Sequence, residues 1–489
     1  MHFQSAIFLK GFDRYNVDVT HAMKKSITLS TLIVFTLASL VLPGCLRKKK
    51  PEVVETTVEP VTLSFYGLFD SEDVYAPMIQ EFQTSNPLVS VVYKKFTDPE
   101  AYMNLIVNEL AEGEGPDIFM MHNTWFPRHY RKLTPAPESI VDADTFRSLF
   151  VEVTGDELII PDEQGKEQVW GLPLYVDTLG LYYNEDHFEE VKPSTGHPSE
   201  TWAGIQSDVQ LLNREDQSFS RFERSGIAMG RSDNILRAFD IMMLLMLQSK
   251  ADFYSNDLTE VMFDSSEEVV EAFKLYASFA LPSQANYSWN EYIVSADTAE
   301  KELASFAEGQ TSMIVGYTYT YEDIVNQIAS LERSGETSID INDIGLQEMP
   351  QIFDPNTTAY TREAYASYFV PVVSRTTEHS QEAWTFLATM VSDESLRTYN
   401  EETHRPSALR SLIAEQETHP VYGVFASQVG YASSIPMYDP EAYEELFLSG
   451  IDALINTALA ENVVKDLADA IQELIPLEGV KPTEVATES

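Results

Sequence analysis

GKEQVWGLPLYVDTLGLYYNEDHF, residues 165–188, is the stretch whose reading decides the fold. It holds two short apolar, aromatic-rich runs, 170–176 and 179–183, with one carboxylate, Asp177, between them. Short runs rich in Val, Leu and Tyr predict buried strands. Tyr183-Asn184-Glu185-Asp186 then supplies helix-capping side chains, so a helix follows. The predicted order is strand, brief crossing, strand, helix, with an acid at the crossing. A charge placed there is costly unless polar groups meet it. Taken alone, Asp177 reads as a residue that caps a turn or pairs with a nearby arginine.

The chain before this stretch reads as one lobe. Residues 61–66 alternate and predict a strand. Val74, Tyr75, Met78, Ile79 and Phe82 recur at helical spacing, and Asn86-Pro87 stops that helix. A second strand covers 89–93, and Asp98-Pro99 opens a second helix. Gly113-Glu114-Gly115-Pro116 turns the chain into a third strand, 117–121. This β-α-β-α-β order predicts a parallel sheet covered by helices. Ligands of open α/β sheets gather beyond the carboxyl ends of the strands. Those ends carry Tyr66, Phe69 and Asp70 in one loop and Asn123 and Trp125 in the other. Aromatic rings beside small polar side chains make both loops candidates for ligand contact. Trp125 as plain core packing is the competing reading. The Gly-rich 113–116 turn lacks the spacing of a phosphate cradle and precedes a strand, not a helix.

Composition sets the outer limits. The 489 residues are 44% hydrophobic and 22% charged, normal for a globular protein large enough for more than one lobe. A formal net charge of −45 argues against nucleic-acid binding, which needs basic patches. The single cysteine, Cys45, rules out a disulfide framework or a thiolate metal site. Its position gives it another use. Met23-Lys24-Lys25, the apolar run 27–42 and Pro43-Gly44-Cys45 have the layout of a secretory signal, with Met23 as the expected start. At about 16 residues the apolar run falls short of the ~20 that span a bilayer. Residues 46–60 are polar and Pro-bounded, which predicts a flexible tether.

After Asn184 a second lobe is expected. Thr201-Trp202 opens a helix, 226–230 reads as a strand, and 234–248 is an apolar helix whose Met run fills a core. Helices are expected over 266–281 and 298–308, then a strand ending in the aromatic loop 317–321. Residues 339–349 and 365–373 read as strands returning to the first lobe, 380–390 as a helix, and 446–475 as a closing helix pair. The tail 476–489 is polar and predicted to fray.

G-x-P-x-x-x-D-x-x-x-L-Y-Y-N-x-D-x-F at 171–188 resembles the family 1 extracellular solute-binding proteins of ABC importers, which include the maltose- and oligosaccharide-binding proteins. Other elements match in order. They are F-x-x-x-N-P-x-V-x-V at 82–91, G-x-G-P-D-I-F at 113–119, Phe306-x-x-Gly309-x-x-Ser312-Met313, and a late Pro406-Ser407 turn. Ser312 stands where the family usually has Ala, and an extra residue separates Pro198 from Thr201-Trp202. Leu42-Pro43-Gly44-Cys45 resembles a bacterial lipobox, with Pro43 as a departure, and implies lipidation at Cys45.

The resemblance spans 61–475 and implies a two-lobed α/β fold of the periplasmic-binding-protein type II, with two open sheets joined by a hinge. Residues 61–176 and about 340–400 would form the first lobe, and 177–339 and about 401–475 the second. It implies a lipid-anchored, extracytoplasmic, monomeric receptor that hands a carbohydrate to permease subunits and needs no cofactor. The implied contacts are Tyr66, Phe69, Asp70, Asn123, Trp125, Tyr175, Asp177, Gly316, Tyr317, Tyr319 and Ser407.

Enzyme signatures are missing. There is no H-E-x-x-H, G-x-S-x-G, Walker loop or EF-hand loop, and the nine His are scattered. His122 reads as a satisfied loop residue. Tyr182 and Tyr183 on one strand point to opposite faces, so they are poor joint metal ligands. The abundance of acids leaves open a surface glycoside hydrolase with paired carboxylates. An adhesion lipoprotein on the same scaffold is the third reading.

Overall fold

The computed structural model describes residues 59–476, apart from 163, 216–221, 294–300, 355–356 and 358–360. The signal, Cys45, the tether as far as residue 58 and the tail from 477 lie outside the described residues.

The first lobe is built on the sheet that alternation predicts. Val61–Leu68 pairs in parallel with Val89–Phe96 on one side and Ile118–His122 on the other. Phe369–Val373 adds an antiparallel edge strand to Ile118–His122. Asp98 caps the helix Pro99–Glu112 by accepting from the Ala101 amide at 3.0 Å, and Gly113 ends it with φ of 79°. That left-handed turn suits glycine, which has no Cβ to clash. The core of this lobe runs from Leu63 to Val176 and returns with Ala364 to Val373 and helices Ser380–Met390 and Asp393–Thr403.

The second lobe begins at the strand Gly180–Asn184, whose residues are all buried. It lies between Met313–Gly316 and Ile344–Glu348, antiparallel to both. A central strand covered on both faces has no solvated side, which is why it reads as an unbroken apolar run. Asn184 accepts from the His187 amide at 2.9 Å and starts the helix Glu185–Val191, as the capping residues predict. The apolar Met-rich helix is Ala238–Ser249, almost wholly buried.

The two cores meet at one point of the first-read stretch. Val176 is the last residue there of the first core and Leu179 the first of the second, with Asp177-Thr178 between. Asp177-Thr178 pairs with Ala364–Ser367, which pairs in turn with Ala432-Ser433. This small sheet gathers three passages of the chain between the lobes.

Several expected elements differ. Residues 170–176 are buried but, apart from an isolated bridge between Tyr175 and Ser407, lie in no ladder. Gly171 and Pro173 interrupt it, and the amides of Trp170, Leu172 and Val176 go to Leu158, Pro371 and Pro406 separately. Residues 226–230 likewise form no strand. The 365–373 run divides at Tyr368 into a strand of the crossing sheet and a strand of the first lobe. Residues 344–349 belong to the second core, not the first, because their strand pairs with Gly180–Asn184. Ala408, Leu409 and Leu412 belong to the first core, not the second.

Candidate functional site

The carboxyl ends of the first-lobe strands present an aromatic edge. Phe69, held at φ of 68° and 43% exposed, meets Phe369 edge-on at 5.8 Å. Trp125 meets the same Phe369 edge-on at 5.7 Å, and His122 packs on both. Edge-to-face contacts fix the rings and leave faces outward. His122 bonds Thr124 Oγ1 at 2.7 Å and Ser367 Oγ at 3.0 Å, and burial pushes its pKa down to about 3. Both its ring nitrogens are satisfied, as expected, though at the end of a strand and not in a loop.

The second lobe offers a matching edge in the loop after Met313–Gly316. The rings of Tyr317 and Tyr319 lie 6.0 Å apart, and Tyr319 is 38% exposed. Arg237, at the start of the Met-rich helix, lies over both rings at 5.3 and 5.5 Å and touches the Tyr319 hydroxyl. Asp240 partners Arg237 at 3.5 Å. The Tyr317 hydroxyl is sealed from solvent without a well-formed hydrogen bond, with Ser367 and Asp240 in reach. Ser367 therefore touches His122 of one lobe and stands beside Tyr317 of the other.

Asp177 sits between these edges and is 4% exposed. Its Oδ2 accepts from Thr318 Oγ1 at 2.6 Å, and its Oδ1 accepts from the Thr178 amide at 2.9 Å. Burial raises its pKa to about 6, opposed by the Thr318 bond and the charge of Arg405. Among the described residues no cation lies within ion-pair distance of it. The stranded acid is thus met mainly by a threonine of the second lobe.

The other expected residues divide. Tyr175 is buried, accepts from the Phe369 amide at 3.2 Å and lies 4.5 Å under Arg405. Asp70 is tied within the first lobe by Arg405 at 2.9 Å, Tyr399 at 2.9 Å and Tyr75 at 3.0 Å. Asn123 is consumed by Glu157, Ser434 and the Tyr368 amide. Ser407 is fully buried, and its hydroxyl accepts from Leu409. Gly316 ends a buried strand, where a Cβ would come 2.3 Å from Thr320 Oγ1. It lets the aromatic loop turn back closely and presents no contact itself. Tyr66 points the other way, packing on Phe96 and Lys94 with Glu109 as its charged neighbour. A one-residue step along a strand reverses its face, so Phe65 fills the core and Tyr66 leaves the site. The structure thus brings Phe69, Trp125, Tyr175, Asp177, Tyr317 and Tyr319 toward one junction and does not bring Tyr66.

Sequence reasoning missed Arg237, Phe369, Arg405 and Glu157. Arg405 immediately precedes the quoted Pro406-Ser407 turn, and that position is the signal that could have found it. Glu157 is half-buried beneath Tyr368, Ser434 and Asn123, which all bond its carboxylate, and its loss of water raises its pKa to about 7. Arg128 pairs with Asp439 at 2.7 Å and so joins the lobes. Cavities of about 960 Å³ beside Trp202 and Leu459 and about 450 Å³ beside His404 and Tyr422 include none of the expected site residues. Among the described residues no group of acids, His or Cys could hold a metal, and no helix is long and apolar enough to cross a membrane.

No curated protein matches the chain. Solved structures do. The sugar-binding protein MalE from Xanthomonas citri is 16% identical with a TM-score of 0.67, over 84% of this chain and 97% of that one. A cyclo/maltodextrin-binding protein complexed with maltotetraose is 16% identical with a TM-score of 0.65, over 86% and 98%. An ABC transporter solute-binding protein from Thermotoga lettingae, bound with α-D-tagatose, is 18% identical with a TM-score of 0.61, over 84% and 99%. At such identities these likenesses establish the two-lobed fold. The family model described as bacterial extracellular solute-binding protein matches residues 77–420, which span both lobes and the crossing. The chain belongs to the bacterial extracellular solute-binding protein family.

Proposed function

We propose that the chain captures a carbohydrate between its lobes and delivers it to the permease of an ABC importer. The observation that carries this reading is the pair of aromatic edges, Phe69–Phe369–Trp125 and Tyr317–Tyr319, flanking a crossing that holds Asp177. Flat rings suit sugar C–H faces, and a few placed polar groups suit its hydroxyls. The saccharides named with its structural neighbours agree with this chemistry. Hinge movement at the small crossing sheet would close the lobes on the solute. The protein acts as a receptor and not as a hydrolase, and the energy of transport comes from a partner ATPase.

The signal-like start and Cys45 support a lipid anchor on the outer side of the cell membrane, with residues 46–60 as tether. Cys45→Ala should release the protein from the membrane fraction. A variant that stays membrane-bound would remove the anchor from this proposal.

Calorimetric titration of the purified chain with malto-, xylo- and manno-oligosaccharides tests the main reading. Binding without turnover is expected. Asp177→Asn should weaken binding at least tenfold, through the Thr318 contact and any bond to solute. Failure of every saccharide to bind, or hydrolysis of a chromogenic glycoside, would overturn it.

A further inference from the structure

The cavity of about 450 Å³ beside His404 and Tyr422 is walled by both lobes and contains none of the residues of the aromatic edges. Helices Asp393–Thr403 and Arg410–Gln416 pack on the first core through Leu396, Tyr399 and Leu412. Helix Gly423–Val429 reaches the second core through Phe425, and Tyr422 packs against that core too. Pro406, Leu412 and Ala426 give the cavity a buried, apolar inner end. One wall is flat, because the His404 ring lies on the Tyr422 ring at 4.3 Å and 7°. His404 reaches that stack from a left-handed backbone at φ of 58°, uncommon for a residue other than Gly.

Asn400 also lines the cavity and is only 4% exposed. Its Nδ2 donates to the Leu174 carbonyl over a long 3.4 Å, and its Oδ1 is sealed from solvent with no hydrogen-bond partner. A buried amide oxygen left unpaired is unfavourable. The long Nδ2 bond holds the amide loosely, and its terminal torsion is broad, so Oδ1 turns readily toward a donor in the cavity. The neighbouring amide of Gln416 is already engaged. Its Oε1 accepts from the Ser407 amide at 2.7 Å, and its Nε2 donates to the Arg405 carbonyl at 3.1 Å. At the exposed mouth Arg397 pairs with Glu415, and Glu401 adds a second carboxylate.

From this arrangement we infer that the cavity is a second ligand site, which takes a small uncharged planar ring compound carrying one N–H donor. Its volume lies within the range of small-molecule pockets, about 300–1,000 Å³. A flat body fills the space between the Tyr422–His404 stack and the apolar inner end. Its N–H meets the Asn400 oxygen. A saccharide brings several hydroxyls to an apolar floor with one unpaired acceptor and leaves most of them unmatched. An anion meets two carboxylates at the mouth, with Arg397 offset by Glu415, and a second acceptor in Asn400 Oδ1. The site shares no residue with the carbohydrate cleft proposed above and stands apart from that reading.

Indole carries the N–H, and 1-methylindole offers the same body without it. In equilibrium titrations of the purified chain, indole should bind roughly tenfold more tightly than 1-methylindole, the worth of one buried hydrogen bond. Crystals soaked with 5-bromoindole should place the bromine anomalous signal beside Tyr422 and Leu412. Asn400→Leu keeps the side-chain size and removes the acceptor, so the two compounds should bind it equally. Trp125→Ala, at the aromatic edge of the crossing, should leave the tenfold difference unchanged. Where thermal melting shows Asn400→Leu unfolded, the two indoles on wild type and the bromine position still decide. Equal affinity of the two compounds for wild type, no binding of indole, or bromine seated between Phe69 and Tyr317 would overturn the inference and leave an empty packing gap. None of these outcomes bears on the carbohydrate reading.

Discussion

Glu157 is the residue whose charge state matters most to the crossing. It sits at the end of the helix Glu152–Leu158, and its carboxylate is bonded by Tyr368 and Ser434 from two chain passages and by Asn123. Asp156 nearby adds repulsion. Burial therefore leads, and the pKa rises from 4.5 to about 7. The folded state holds this proton more firmly than the unfolded chain does. Its contribution is present below the unfolded pKa and is lost as pH rises to about 7, an effect of about 3 kcal/mol. Glu157→Gln cannot titrate. Its melting temperature should gain on wild type between pH 5 and pH 8, and thermal melts at both pH values check this. A constant difference across that range would show that Glu157 does not titrate there. Asp177 shifts the same way, to about 6. Wild-type solute affinity should therefore fall below pH 6, while Asp177→Asn keeps a flat, weaker profile. None of this was legible beforehand, because Glu157 is one acid among many and only burial distinguishes it.

At the scale of elements, Gly180–Asn184 organises the second lobe. Its apolar run, its neighbouring acid and its helix cap were all visible as sequence. What the run could not reveal is how closely other elements approach it. A Cβ on Gly180 would lie 2.7 Å from the Phe425 ring and 3.0 Å from Leu346. Gly180→Ala should therefore destabilise by about 1–3 kcal/mol through overpacking, seen as a lower denaturation midpoint. An unchanged midpoint would mean that Phe425 moves freely, against its complete burial. The neighbouring run 170–176 teaches the converse. Its composition is that of a strand, but its amides go to several partners, and no local pattern records that choice.

At the scale of the whole molecule, a formal net charge of −45 opposes compaction. Salt screens that repulsion, so the melting temperature should rise between 10 and about 500 mM NaCl, where the Debye length falls from roughly 30 Å to only a few Å. A fall would mean that attractive pairs dominate. Exposed pairs such as Arg128–Asp439 contribute only ~0–1 kcal/mol each and are not expected to reverse the sign. Periodicity and capping, which are local properties, were enough for the parallel first sheet, the strand Gly180–Asn184 with its helix cap and the carboxylate stranded at Asp177, while the two-lobed class and the crossing there came with the resemblance of the motifs to a known family. The sequence by itself also placed aromatic residues at the strand ends. Only the tertiary structure decided that Asp70 and Asn123 are consumed inside the first lobe, that Tyr66 faces away, and that Arg237, Phe369 and Arg405 belong to the junction. Those outcomes depend on which partners residues far apart in the chain find when the lobes pack, and burial and hydrogen bonding across such distances leave no periodic trace.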